Sequence, residues 1–338
     1  MKKAYRPVVL ILFGMAALAG SSRASAQSGG APPRPDHVVI VIEENHAYSE
    51  IIGNSSAPYI NSLASQGALF TSSYAITHPS QPNYIALFSG STQGCTDDNV
   101  PAAGTPWSAP NLGSELTGAG FTFGGYSEDM PSVGFTGPWN AGYARKHNPW
   151  VDFSNVPAAS NMPLTSFPAP GAYDTLPTVS IVVPNVTDDM HDGSVSLGDT
   201  WLKNNLDAYI QWAKTHNSLF ILTWDEDDGS PTNQIATLFV GPMVKPGTYS
   251  QTINHYSVLR TLEDMYGTGH AGAAATAAPI TGVWDSAATP PPPTGGGGGS
   301  SGAGSDGGGG GHHCGALGLD AALLLGLSLL GFRCRRKI

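Results

Sequence analysis

Cysteine and basic residues are both scarce in this sequence of 338 residues. Only Cys95 falls between residues 27 and 289, so no disulfide can form within that stretch, and we interpret Cys95 as a structural or incidental thiol. The same stretch carries seven Lys and Arg residues against 23 Asp and Glu residues. This negative balance disfavours nucleic acid as a partner and suits a site that binds cations.

The N-terminal segment over residues 1–26 has the pattern of a secretory signal peptide. Lys2 and Lys3 precede an apolar run over residues 8–18, and the small residues at 24–26 provide a cleavage site. We therefore expect an exported protein, located in the periplasm, at the cell surface or outside the cell.

The C-terminal end differs in composition from the rest of the chain. Residues 286–313 are rich in Pro, Gly and Ser, which predicts a disordered linker that cannot form a core. Residues 314–338 contain Cys314, an apolar run and a basic cluster, and they resemble the tripartite sorting tags of bacterial proteins. Such a tag is processed by a sorting protease or lipidated at its cysteine, and a simple membrane anchor is the alternative. We expect membrane contact only through this segment.

Between these ends, residues 27–285 are long enough for one large domain with a substantial core. Apolar runs typical of buried strands alternate with segments typical of helices. The predicted strands cover residues 37–43, 68–75, 121–126, 178–183, 219–223 and 236–240. The predicted helices cover residues 58–66, 85–88, 111–117, 197–216 and 255–266, and residues 130–177 are predicted as long loops. This alternation predicts an α/β fold with a mostly parallel sheet and helices on both faces.

Ser80 lies in the stretch 77–84, between a predicted strand and a predicted helix. A hydroxyl on such a turn lies beside free backbone N–H groups at the positive end of a helix, which suits attack on a phosphoryl group. The alternative is a helix-capping serine followed by Pro82, which is a common way to begin a helix. The stretch alone favours the capping interpretation, and the rest of the chain reverses that preference.

Asp, Glu, His and Asn are concentrated where the predicted strands end. In a parallel sheet these carboxyl ends lie along one edge, where ligands bind. So many carboxylates would repel one another unless cations lay between them. Carboxylate and imidazole ligands together suit Zn, Mn or Fe, whereas Ca or Mg suits a site dominated by oxygen ligands. The clusters are Glu43–His46, His78–Ser80, Ser127–Asp129, Asp188–Asp192, Trp224–Asp228 and His255.

Four motifs, in this order, are similar to those of the bacterial and fungal phosphoesterase family, which includes acid phosphatases and phosphocholine-preferring phospholipases C. They are Ile42–Tyr48, His78–Tyr84, Asp189–Asp192 and Thr223–Glu226. The resemblance covers almost the whole of the predicted domain. It implies an alkaline-phosphatase-like fold and a metal-dependent in-line displacement that passes through a covalent phosphoseryl intermediate.

The resemblance also implies a set of metal ligands. Glu44 and Asn45 match the first ligand pair of the family, and Asp225 and Glu226 match the later acidic pair. Asp189 would either complete the same site or contribute to a second one. The implied cofactor is one or more divalent metal ions, and Zn, Mn, Fe, Ca and Mg all stay open.

The catalytic roles that the resemblance implies fall on four residues. Ser80 matches the nucleophile, and Asn83, three residues later, would hold a phosphate oxygen. His255 matches the late histidine of the family, and either His191 or His255 would protonate the leaving group. His147 lies in the predicted long loop, and we interpret it as part of a solvated basic segment rather than as a phosphate ligand.

Three functions stay open from the sequence. The leading one is a secreted or surface-anchored phosphomonoesterase that acts on a small phosphorylated substrate. We expect none of the additional C-terminal β domains of many phospholipases C, which points to the acid-phosphatase branch. The second is a phosphodiesterase or phospholipase C, in which aromatic residues of the segment 130–177 would pack over a choline head group. The third is a non-catalytic binding module on a Gly-rich stalk, which would have no need of a nucleophile.

Overall fold

The structure, a computed structural model, describes Met1 and residues 32–102 and 107–285. The predicted linker, the predicted C-terminal tag and all but the first residue of the predicted signal peptide lie outside these ranges. Within the described ranges, no helix is long and apolar enough to cross a membrane. All the described residues belong to one compact unit.

Strands and helices alternate along the described chain. The strands are β1 (His37–Glu43), β2 (Ala68–Tyr74), β3 (Phe123–Ser127), β4 (Trp139–Asn140), β5 (Tyr143–Ala144), β6 (Asn161–Pro163), β7 (Val179–Val183), β8 (Ser218–Trp224), β9 (Gln234–Val240), β10 (Gly247–Tyr249) and β11 (Ile253–Asn254). The helices are α1 (Tyr48–Ile51), α2 (Pro58–Gln66), α3 (Ser80–Ser89), α4 (Leu112–Gly118), α5 (Val195–Ala213) and α6 (His255–Tyr266).

One mixed sheet organises the molecule, with the strand order β10, β2, β9, β8, β1, β7, β3, β6 and with β11 beside β2. The first strand, β1, pairs in parallel with β7 on one side and with β8 on the other. In contrast, β9 runs antiparallel to both of its neighbours, β8 and β2. The sheet is therefore mostly parallel, as the sequence predicts, and β9 is its reversed strand.

The side chains of β1 are buried on both faces of the sheet, because the strand is apolar almost throughout. Val38, Ile40 and Ile42 belong to the core that is shared with α3, α4 and α6. Val39 and Val41 belong to the core on the opposite face, which is shared with α1, α2 and α5. Helices therefore cover both faces, which confirms the predicted α/β layering.

Residues 130–177, predicted as long loops, contain short strands and 3-10 helices and are anchored by the buried Trp150. Gly125 of β3 allows this packing, because a Cβ atom there would lie 2.1 Å from the Trp150 ring. On either side of the anchor, Arg145 and Asp152 form a buried ion pair. The middle of the segment is therefore fixed in the protein rather than solvated.

Glu263 of α6 is fully buried and couples stability to pH. Its Oε1 accepts a hydrogen bond from the backbone N–H of Ala271 at 2.7 Å. Burial raises the pKa of Glu263 to about 8. A carboxyl group with a raised pKa contributes stability that is complete below its unfolded pKa and is lost as pH rises through its folded value, here about 8.

We expect Glu263→Gln, which keeps the acceptor but cannot ionise, to melt higher than the wild type at about pH 9. The difference should be about 2 °C or more, which corresponds to about 1 kcal/mol for a domain of this size. At about pH 5 the two proteins should melt at similar temperatures, because Glu263 is then protonated in the folded wild type. Calorimetry at both pH values checks this, and an unchanged difference between them would contradict the assignment.

Candidate active site

Two pairs of side chains that carry oxygen ligands meet at the edge of the sheet where β1 and β8 end. The two strands are parallel neighbours, so the residues that follow them emerge side by side. Glu44 and Asn45 follow β1, and Asp225 and Glu226 follow β8. The backbone N–H of Asn45 donates to Asp225 Oδ1 at 3.3 Å, which ties the two turns together.

The hydroxyl of Ser80 lies at the centre of this cluster. Ser80 is the first residue of α3, and its Oγ lies 2.9 Å from Glu44 Oε2, 3.0 Å from Glu226 Oε1 and 3.2 Å from Asn45 Oδ1. A hydroxyl carries one proton, so it can donate to only one of these three acceptors at a time. The other two oxygen atoms then face Ser80 Oγ without receiving a proton from it.

His78 supports Glu226 from the loop before α3. Its Nδ1 lies 2.5 Å from Glu226 Oε2, and its Nε2 lies 3.1 Å from the carbonyl oxygen of Ser230. Burial alone would lower the pKa of His78, but the hydrogen bonds to Ser230 and Glu226 raise it overall. Because an acceptor lies at each ring nitrogen, His78 is a cation that donates from both nitrogens, and it orients the Glu226 carboxylate.

Burial raises the pKa of three carboxyl groups around this edge. The pKa of Glu44 rises to about 7, although His147 opposes the shift, and the pKa of Asp189 rises to about 8. The pKa of Asp225 is raised well above its usual value by burial and then by the charges of Glu44 and Glu226. Carboxylates in such surroundings stay ionised only when positive charge lies close to them.

Several polar atoms of the cluster are buried without a partner. Within residues 32–102 and 107–285, Glu44 Oε1, Asp225 Oδ2, Asp189 Oδ2 and His147 Nε2 make no hydrogen bond. Each such atom costs about 1–3 kcal/mol when it is left unpaired. A divalent cation would offset both this cost and the mutual repulsion of the carboxylates, so the residues present fit such an ion.

His147 belongs to this cluster, so our interpretation of it as part of a solvated basic loop was wrong. The residue is 1% exposed, with Nε2 3.1 Å from Glu44 Oε1 and Nδ1 3.3 Å from Asp189 Oδ2. Its ring stacks on that of Tyr84, with centroids 5.0 Å apart. Burial lowers the pKa of His147 to about 4, so the imidazole is neutral at pH 7. His147 and the buried Trp150 are three residues apart in the chain, and both side chains are packed in the protein interior. Such packing is not apparent from the composition of the segment.

One of the backbone N–H groups at the start of α3, where the sequence predicts an anion site, is bonded to a side chain. The backbone N–H of Gln81 donates to Asp98 Oδ1 at 3.0 Å. Asp98 in turn accepts from Lys146 Nζ at 2.8 Å. The pKa of Lys146 is raised, because its hydrogen bond to Asp98 and the charge of Glu44 outweigh the effect of burial. Lys146 is therefore a fixed positive charge close to the acidic cluster.

Asn83 has a structural role in the described chain. Its Oδ1 accepts from the backbone N–H groups of Ile76 and Thr77, both at 3.0 Å. Its Nδ2 donates to the carbonyl oxygens of Thr77 at 2.8 Å and Pro79 at 3.2 Å. These four bonds shape the turn before Ser80 and use the capacity of the amide, so the expected contact with a phosphate oxygen is not supported.

The two histidines predicted as proton donors have different surroundings. His255 is buried, with Nε2 2.6 Å from the carbonyl oxygen of Asp225, and burial lowers its pKa to about 4. It therefore donates to this carbonyl as a neutral ring and positions Asp225, rather than protonating a leaving group. His191 is 31% exposed, bonds to Asp192 at 2.8 Å, and has its ring centroid 6.2 Å from that of His147. Of the two, His191 is accessible from solvent.

Several known proteins are similar to this chain in sequence and in fold. Residues 54–269 match the Phosphoesterase family. A phosphatidylinositol-3-phosphatase of Mycobacterium tuberculosis is 55% identical over 257 residues, which cover 76% of this chain and 85% of that protein. An acid phosphatase of Aspergillus fumigatus is 31% identical over 72% of this chain, and the match spans 56% of the length of that relative.

A solved structure from Vibrio parahaemolyticus, described as a protein in the alkaline phosphatase superfamily, shares the fold. It superposes with a TM-score of 0.52 at 13% sequence identity and covers 73% of this chain and 72% of its own. Together with the sequence matches, this likeness confirms the predicted alkaline-phosphatase-like fold. The chain belongs to the Phosphoesterase family and is a hydrolase that acts on phosphoric ester bonds.

Proposed function

We propose that this protein is a cation-dependent phosphomonoesterase that uses Ser80 as its nucleophile. The observation that carries the proposal is the buried Ser80 hydroxyl, which has three side-chain oxygens within 3.2 Å at the edge where ligands bind in such sheets. A capping serine would be the N-cap residue and accept from the backbone of its helix, whereas the N-cap of α3 is Pro79 and Ser80 is the first residue inside the helix.

Glu44, Asn45, Asp225 and Glu226 would hold the cation beside Ser80. When bound, it would lower the pKa of the Ser80 hydroxyl and withdraw charge from the phosphoryl oxygens. His78 fixes Glu226 through a bond of 2.5 Å, and His255 fixes the backbone of Asp225 through one of 2.6 Å. These two histidines position the ligands and do not react.

In the proposed reaction, Ser80 Oγ forms a bond to phosphorus and passes its proton to Glu44 or Glu226. The bond from phosphorus to the leaving alcohol oxygen breaks, and that oxygen takes a proton from His191. Water then attacks the phosphorus of the phosphoserine and passes one of its protons to His191. The bond from phosphorus to Ser80 Oγ breaks, Glu44 or Glu226 returns its proton to Ser80 Oγ, and phosphate is released. Lys146, fixed by Asp98 at 2.8 Å, supplies positive charge for the phosphate oxygens.

The relatives support a monoester as substrate, because their names describe a phosphatidylinositol-3-phosphatase and an acid phosphatase. We therefore propose phosphomonoesters, with phosphatidylinositol 3-phosphate as the first natural substrate to try. The pattern of residues 1–26 supports export, and the pattern of residues 314–338 supports attachment to the cell surface.

Hydrolysis of p-nitrophenyl phosphate, its bis ester and p-nitrophenyl phosphocholine, each with and without a chelator, tests the proposal. We expect turnover of the monoester that the chelator removes and added divalent cations restore, because the carboxylates around Ser80 need positive charge. Preference for a diester would indicate a phosphodiesterase or phospholipase C. Full activity after verified metal removal would contradict the cation-dependent mechanism.

A further inference from the structure

A cavity of about 300 Å³ lies beside Lys146. Two segments of the chain line it, residues 98–100 and residues 138–146, and the lining is mostly apolar. Its volume is at the lower end of the range found for sites that bind small molecules. The apolar side chains in the lining are those of Val100, Pro138, Trp139 and Ala144.

The cavity shares part of its wall with the candidate active site. Asp98, which lines the cavity, accepts from the backbone N–H of Gln81 at 3.0 Å, and Gln81 directly follows Ser80. Lys146, which also lines it, donates to Asp98 at 2.8 Å, and the next residue, His147, belongs to the acidic cluster. The cavity is therefore within reach of an alcohol group joined to a phosphate at Ser80.

Trp139 presents a large aromatic surface that is exposed but fixed. Its side chain is 53% exposed, and the residue pairs with Ala144 across the hairpin formed by β4 and β5. The backbone N–H of Arg145 donates to the carbonyl oxygen of Pro138 at 3.0 Å, and Arg145 also forms the buried ion pair with Asp152. Because the hairpin is tied to the interior, Trp139 is preorganised to bind a ligand.

The charges around the cavity indicate what kind of group it suits. Among the described residues that line it, Asp98 and Lys146 are the charged ones, and they are bonded to each other. A cationic group such as choline would meet no unpaired carboxylate there and would lie close to the charge of Lys146. An uncharged apolar group, in contrast, would gain from covering the exposed face of Trp139.

We propose that this cavity is a leaving-group subsite and that it selects phosphomonoesters whose alcohol carries an apolar aryl or alkyl group. Trp139 determines this specificity, because it offers the largest apolar surface in the lining. The inference rests on the proposed function for the position of the phosphate, and it adds a substrate class to that function.

Two monoesters whose leaving alcohols are similar in basicity test the subsite, namely ethyl phosphate and 2-phenylethyl phosphate. Val133 is the matched control for Trp139, because it is 54% exposed in the same segment but does not line the cavity. We expect the wild type, supplied with divalent cations, to prefer the phenylethyl ester by about 10-fold or more in kcat/KM, mainly through KM. Trp139→Ala should lose most of this preference, whereas Trp139→Phe and Val133→Ala should keep it.

Binding of 3-phenylpropylphosphonate and propylphosphonate, measured by calorimetry, gives a readout that needs no turnover. In both compounds a carbon–phosphorus bond replaces the ester bond. We expect the phenyl compound to bind the wild type about 10-fold or more tightly, and to lose most of that advantage in Trp139→Ala. Circular dichroism confirms that each variant folds.

The outcomes separate this inference from the proposed function. Turnover of both esters without a preference in rate or in binding would overturn the subsite and leave the proposed function intact. A preference in binding without turnover of either ester would support the subsite and overturn the proposed function. A preference that Trp139→Ala keeps, or that Val133→Ala loses equally, would overturn the role of Trp139. Neither binding nor turnover would overturn both proposals.

Discussion

Replacing Ser80 by alanine is expected to lower kcat by about 10⁴-fold or more, because loss of a nucleophile removes the covalent route. The fold should be retained, since within the described residues the Ser80 hydroxyl bonds to the side chains of Glu44, Asn45 and Glu226, and an alanine fits at the first position of a helix. Initial rates with p-nitrophenyl phosphate, together with melting temperatures, check both expectations.

Ser89 provides a matched control at the other end of the same helix. It is also buried, but its hydroxyl bonds to the backbone of Ile85 and Ser91. Ser89→Ala should therefore lose some stability and keep its turnover. If Ser80→Ala retained activity near that of Ser89→Ala, the nucleophile would have to be another group.

The second large effect is expected at Glu44, which contacts both Ser80 and His147. Glu44→Gln should lower kcat/KM by at least about 100-fold, since even residues behind metal ligands contribute 10- to 100-fold. In chelated protein the same variant should be at least as stable as the wild type, because it removes a buried carboxylate that has no cation to pair with. Rates and melting temperatures in chelator measure the two effects.

Glu43 is the matched control for Glu44, because it is the last residue of β1 and directly precedes Glu44 in the chain. Glu43 is fully buried as well, and burial and then the charge of Asp189 raise its pKa well above the usual value. Neither of its carboxyl oxygens makes a hydrogen bond within the described residues, so Glu43→Gln should leave turnover almost unchanged. Equal losses in both variants would mean that the effect of Glu44→Gln reflects general damage to β1.

Much of the fold follows from local patterns in the sequence. The structure reproduces the predicted bounds of β1 and α6, whereas α3 begins at Ser80 rather than at residue 85 and ends at Ser89. The polar clusters could be placed at one edge because parallel strands end together. That rule brings Glu44 and Asn45 beside Asp225 and Glu226 without any knowledge of side-chain packing.

The remaining features depend on packing between distant residues, which no local pattern records. His147 lies in the acidic cluster within the same segment as Trp150, which packs on Gly125, and a glycine in a strand does not identify its partner. Asn83 was expected at the phosphate, but its amide is within reach of four backbone groups of the preceding turn. Whether a polar residue binds a ligand or its own backbone is decided by the turn geometry.

The central claim, that a phosphoryl group passes through Ser80, is tested most directly by trapping the intermediate. Wild-type protein is mixed with excess p-nitrophenyl phosphate, quenched in acid during turnover, digested and analysed by mass spectrometry. We predict one added phosphoryl group on the peptide that contains Ser80, and none in Ser80→Ala or in chelated protein. The claim would be contradicted if the wild type turned over rapidly with no phosphorylated Ser80 at any quench time and if the Ser80→Ala variant were also active.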